Sequence, residues 1–182
     1  MRMISSLARN TLRLGLFSSL LLAQDLPEKS SLYVTISPVP VTTVTRGKPG
    51  IVNLHFRVAS GYHVNSNKPK LEYLIPTTLK LNPPTDIVVG RITYPNGEEM
   101  SFPFAPDEKL SVYGGNFSLA VTVRPLSTVL PGKYSLRGQL RYQACDKASC
   151  YPPKSLPVDF EVKIAKAAVH KGNPAQSPHA HR

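Results

Sequence analysis

The chain has 182 residues, 41% of them hydrophobic, with 18 prolines, no tryptophan and a formal charge of +11. That length fits one domain with appendages, and so many prolines break the chain into short elements and exclude a bundle of long helices. The charge is not a nucleic-acid footprint: three positive residues lie in the first 23 (Arg2, Arg9, Arg13) and three at the end (Lys166, Lys171, Arg182), while the other 16 basic residues are scattered among 11 acidic ones without a basic run.

Residues 1–23 read as a secretory signal, with a basic start and the apolar stretch Leu14 to Ala23 (LGLFSSLLLA). Ten apolar residues are too few to span a bilayer, which takes about 20. The expectation is export, with cleavage after Ala23 and no stable membrane insertion afterwards. Residues 24–31 form a polar linker, and from Leu32 the text becomes strand-like.

Leu32 to Ser37 and Val41 to Thr45 are separated by Pro38 and Pro40. Ile51 to Ala59 alternates, placing Val52, Leu54, Phe56 and Val58 on one face, the face expected to meet a core. Thr78 to Leu81, Ile87 to Tyr94, Phe117 to Val123, Tyr134 to Tyr142 and Leu156 to Ile164 follow the same style. Within Tyr134 to Tyr142, Tyr134, Leu136, Gly138, Leu140 and Tyr142 share a side. Seven or more short strands punctuated by turns predict an all-β antiparallel sandwich over residues 32–164. Residues 165–182 carry too few large apolar side chains to pack and are expected to form a basic, histidine-containing disordered tail.

The two cysteines of the chain, Cys145 and Cys150, lie just past the Tyr134 to Tyr142 strand, in the run YQACDKASCYPP. In an oxidising compartment two thiols this close are normally paired. A ring of about six residues adds only roughly 2 kcal/mol in the chain-entropy model, and a domain of this size buries an adequate core without a staple. The pair therefore reads as a redox couple: one thiolate attacks, the other resolves the mixed disulfide. No helix N-terminus or C-x-x-C spacing supports a thioredoxin-type site, and the pair lacks the further ligands of a zinc site, so no metal or cofactor is expected. A second reading stays open, in which the bridge only shapes a loop of a non-enzymatic module that binds another envelope protein. Asp146, inside the loop, reads as a solvated turn residue that, as an anion, would raise a neighbouring thiol pKa. His63 reads as a loop histidine without a role.

Tyr142-Gln143-Ala144-Cys145 with Cys150-Tyr151-Pro152-Pro153 resembles the active-site segment of the N-terminal periplasmic domain of the thiol:disulfide interchange protein DsbD. Gly61-Tyr62-His63-Val64-Asn65-Ser66, Leu74-Ile75-Pro76-Thr77 and Val112-Tyr113-Gly114-Gly115 follow in that family's order, extending the resemblance over roughly residues 30 to 164. It implies an immunoglobulin-like sandwich in the periplasm, carrying a reversible Cys145–Cys150 disulfide. It also implies thioredoxin-like oxidoreductases as partners and a separate membrane protein as electron donor. Cys150 would attack the oxidised acceptor and Cys145 would resolve. Tyr62, Val112, Tyr113, Tyr142, Asp146 and Tyr151 would support or cap the pair. Two departures stand out: four residues, not five, separate the cysteines, and Val112 stands where the family's cap carries a phenylalanine, predicting thinner cover over the sulfurs.

Overall fold

The computed structural model describes residues 33–167; the expected signal, the whole linker and most of the tail lie outside them. Every regular element among these residues is a strand. One sheet has the order β1 (Val34–Ile36), β3 (Gly50–Val58), β9 (Asn116–Pro125), β6 (Ile87–Thr93), antiparallel throughout. The other has the order β2 (Thr42–Thr45), β12 (Lys154–Ala165), β10 (Gly132–Tyr142), β5 (Thr78–Asn82), with β2 parallel to β12. Together they make the immunoglobulin-like sandwich.

Alternation builds the core. Val52, Leu54, Phe56 and Val58 of β3 are buried as expected, and they join Phe117, Leu119, Val121 and Val123 of β9. The second sheet contributes Leu136, Leu140 and Tyr142 from β10, and Leu156, Val158, Phe160, Val162 and Ile164 from β12. Truncating such a residue to alanine typically costs about 2–5 kcal/mol. Pro157 sits within β12 without breaking the sheet, because β2 covers only Val162 to Ala165 and leaves that flank of β12 free of a partner strand.

A third sheet, not foreseen from the sequence, has the order β11 (Ala144–Cys145), β4 (His63–Asn65), β8 (Ala105–Gly114), β7 (Glu98–Phe102). Three of its strands run on from strands of the sandwich. β3 turns into β4 through Gly61 (φ 84°), β8 runs into β9 through Gly115 (φ 54°), and β10 continues into β11 through Gln143. Glycine is suited to both left-handed positions. The placement of the third sheet is thus dictated by the sandwich.

Gly138 marks the tightest approach within the second sheet. A Cβ there would collide with the carbonyl oxygen of Lys80 and lie 2.8 Å from the Leu81 Cα. Gly138→Ala is expected to force β5 off β10 and cost about 1–3 kcal/mol, read as a lowered urea midpoint with unchanged slope.

Candidate functional site

The disulfide is built on the ladder that carries it. β10 and β12 pair without interruption from Gly132↔Ile164 to Tyr142↔Lys154, so the intervening segment leaves and re-enters one sheet end. It folds as a hairpin in which Asp146 N–H donates to the Ser149 carbonyl (2.9 Å) and Tyr151 N–H to the Ala144 carbonyl (2.8 Å). Cys145 and Cys150 are the antiparallel pair between these bonds, bridged with Cα atoms 3.9 Å apart. Cys145 has no exposed surface, whereas Cys150 is half-buried.

Asp146 is the reason the short turn holds. Its Oδ1 accepts from Ala148 N–H (2.7 Å) and Ser149 N–H (2.9 Å), and its Oδ2 from the Tyr151 hydroxyl (2.5 Å). An aspartate that accepts from backbone two and three residues on closes such a turn by itself. The Tyr151 bond, followed by the two amides, holds its carboxyl below the usual range, and the same bond pushes the Tyr151 phenol up to about 12. The solvated turn residue of the sequence reading is therefore the keystone of the hairpin.

Alternation along β11 and β4 divides the site into two faces. Ala144 pairs with Val64 and Val64 with Tyr113, and all three belong to the sandwich core, as does Tyr142. Tyr113 stacks on Phe117 (4.9 Å between ring centres), and its hydroxyl donates to Asn67 Oδ1 at 2.8 Å. Tyr142 is fully buried, with its hydroxyl near the Tyr33 and Val34 backbone but outside hydrogen-bond geometry; burial raises its pKa. Tyr151 stacks with Tyr33 (5.2 Å), which also meets Tyr62 at 4.7 Å. Tyr113 and Tyr142 thus pack in the sandwich core, and Tyr62 and Tyr151 gather around Tyr33 beside the hairpin.

The other face carries the row Cys145, His63, Gly114 and, one row along, Asn65 and Val112. Val112 is fully buried there with Leu74, Phe102 and Leu110. The hairpin of β7 and β8 folds back over this face, so that Phe102 stacks on His63 at 3.9 Å and Phe104 on Phe102 at 5.4 Å. The hairpin tip thus brings two phenylalanines to the side of the strand residue that pairs with Cys145. His63, far from being a loop residue, stands directly opposite Cys145.

Polar residues that the sequence left without roles tie the short motifs together. Gln143 Nε2 donates to the Tyr151 carbonyl (3.2 Å), and its Oε1 accepts from Asn65 Nδ2 (3.1 Å) and Ile75 N–H (3.2 Å). Asn65 Nδ2 also reaches the Ile75 carbonyl (3.1 Å), and the Thr77 hydroxyl donates to the Asn65 carbonyl (2.6 Å). The signal for these clamps was present: each is a polar residue inside an otherwise apolar or proline-flanked motif.

Fold and site together define a class, an all-β domain that carries a partly exposed disulfide on a hairpin at the end of a sandwich. The chain belongs to the family described as thiol:disulfide interchange protein DsbD, N-terminal, whose model matches residues 35–161. Among solved structures it is similar to the reduced DsbD N-terminal domain of Neisseria meningitidis, with 26% identity over 69% of this chain and 88% of that one and a TM-score of 0.40. It is also similar to a type I cohesin of Pseudobacteroides cellulosolvens, with 14% identity over 81% of this chain and 99% of that one and a TM-score of 0.43. No curated protein matches the chain.

Two outcomes test this geometry. In Asp146→Asn the Tyr151 phenol loses its charged acceptor, so its titration, followed by the 13Cζ signal, is expected to fall from about 12 toward the ordinary value near 10. Burial holds His63 at about 4, against 6.5 when free, with Asp146 opposing the shift. The unfolded chain then binds the proton first, so stability is complete above about pH 6.5 and declines as pH falls toward 4. Urea midpoints at pH 7, 5.5 and 4.5 should show that decline in the natural chain and lose it in His63→Phe.

Proposed function

We propose that this domain is a periplasmic electron relay in which the Cys145–Cys150 disulfide is reduced by one thioredoxin-like protein and passes the electrons to another. The unequal exposure of the two sulfurs carries the reading: a partner's thiolate can approach the half-buried Cys150, while Cys145 is sealed beneath it. Attack at Cys150 gives the mixed disulfide and frees Cys145 as a thiolate; the donor's second thiol then attacks the donor sulfur of that bond, leaving the donor oxidised and both cysteines reduced. In the reduced domain Cys150 attacks the oxidised acceptor, and Cys145 then attacks Cys150 Sγ, re-forming the bridge as the reduced acceptor leaves. The family supports exchange with thioredoxin-like partners. The membrane electron donor would be a separate protein.

Export completes the proposal. Residues 1–23 act as the signal, residues 32–164 as the exchange domain and residues 165–182 as a tail. Among the described residues no helix is long and apolar enough to cross a membrane. The hairpin tip of β7 and β8 serves as the cover of the couple, with Phe102 and Phe104 in the place the family gives to its cap phenylalanine.

Trapping decides the matter. Cys145→Ser is expected to accumulate a mixed disulfide through Cys150 with a thioredoxin-like protein of the cell envelope, visible as a thiol-sensitive band, while Cys150→Ser accumulates little. A natural bridge that resists millimolar dithiol, together with no trapped species from either variant, would overturn the relay and favour a binding module shaped by its loop disulfide.

A further inference from the structure

His63 poses a question that the relay leaves unanswered. Four polar or charged side chains are buried among the described residues: His63, Asn65, Ser66 and Thr77. Ser66 Oγ takes the Lys68 amide and the Ser111 hydroxyl, and the Thr77 hydroxyl donates to the Asn65 carbonyl. Asn65 is held through Nδ2 by Ile75 and Gln143, although its Oδ1 has no partner. His63, only 5% exposed, has an Nε2 with no partner. A buried polar atom left unpaired costs about 1–3 kcal/mol and calls for an explanation.

Its surroundings supply one. His63 is the direct cross-strand neighbour of Cys145, so both side chains rise from the same face of the sheet. On its other flank it pairs with Gly114, which places no side chain beside the ring; a Cβ there would meet nothing within 4 Å. Phe102 lies flat against the imidazole, 17° from parallel, and fixes its plane. The ring is thus stacked on one face by Phe102 and flanked by the strand pair Cys145 on one side and by Gly114, which offers no side chain, on the other.

We propose that His63 is the hydrogen-bond donor reserved for the Cys145 sulfur once the bridge opens, a role that rests on the relay reading and deepens it. The partner's thiolate attacks Cys150 Sγ, the new S–S bond forms as the Cys145–Cys150 bond breaks, and the departing electron pair stays on Cys145 Sγ as a thiolate. That charge appears where water does not reach. A neutral imidazole with its proton on Nε2 donates to the thiolate, making Cys145 a better leaving group and keeping it ionised for resolution. While the bridge is closed the sulfur carries no charge and the donor stands idle.

The charged environment suits a neutral ring. Burial lowers the His63 pKa to about 4, and Asp146 on the cysteine hairpin is the charge acting on it. β8 presents Gly114 to it and β7 presents Phe102. The acids Glu98 and Glu99 of β7 pair elsewhere, opposite Val112 and Ser111, with Glu99 bound to Lys70. Tyr113 of β8 lies on the core face with Val64.

The test follows Cys145 itself, in the fully reduced chain labelled at cysteine 13Cβ, as a function of pH. In His63→Phe, which keeps the stack and removes the donor, the Cys145 midpoint is expected to rise by about one pH unit, a tenfold loss of thiolate at a given pH. His63→Gln, which restores an N–H, is expected to recover most of it. A Cys145 titration unchanged in His63→Phe overturns the proposal, as does an equal rise in both variants, which would assign the effect to packing. If the phenylalanine variant does not fold, the 15N signal of His63 Nε2 in the natural chain decides: it should move between the oxidised and the reduced thiolate form, and an unmoved signal overturns the role. Because none of these measurements needs a partner, failure of the relay appears separately, as a bridge that does not exchange with dithiol.

Discussion

The uninterrupted pairing of β10 with β12 is the constraint on which the site depends. Eleven cross-strand pairs bring Tyr142 and Lys154 side by side at the sheet end, and whatever lies between them must turn back over a fixed gap. The hairpin then continues one residue out of register with the ladder below, since Ala144 meets Tyr151 where strict continuation would bring Pro152. Pro152 and Pro153 have no N–H to offer a ladder, so they take up the extra residue on the returning strand. Without that offset the two sulfurs would not share a pair.

The same pairing explains why the site has a front and a back. Even-numbered residues of β10 and β11 (Leu140, Tyr142, Ala144) stay with the sandwich core, which leaves the odd-numbered Cys145 facing the small layer formed by Val112, Leu110, Leu74 and Phe102. Tyrosines on the back contribute packing and stacking, worth about 0.5–1.5 kcal/mol per aromatic pair beyond area burial. The front holds the sulfur and the histidine. A scaffold face and a chemical face are thus separated by one strand's thickness.

Most of the sandwich was legible because its strands alternate: β3, β9, β10 and β12 each place every second residue in the core. The third sheet was not. β4 and β11 have three and two residues, too few for a period to register. In β7 the pattern is Glu-Glu-Met-Ser-Phe with four exposed positions in sequence, and β8 opens with Ala-Pro-Asp-Glu-Lys, which reads as loop. Cys145 and Cys150 were found from composition and spacing, yet which side chains face them depends on strand register, which a single sequence does not display. Hence Tyr142, a neighbour of the motif in the chain, packs into the sandwich core, while His63, distant from the cysteines in sequence, pairs directly with Cys145 and carries Phe102 against it.

The ring closed by the two cysteines is so small that opening it releases little of the denatured chain, roughly 2 kcal/mol of conformational restraint. Reduction is therefore expected to leave the sandwich folded, at a cost of no more than about that amount. In the proposed relay the domain would cycle between two oxidation states without a compensating refolding event, and its electron affinity would be a property of the hairpin and the few groups around it. The hairpin behaves as a cassette: changing its length or its neighbours retunes the chemistry, and the fold beneath is not asked to adapt.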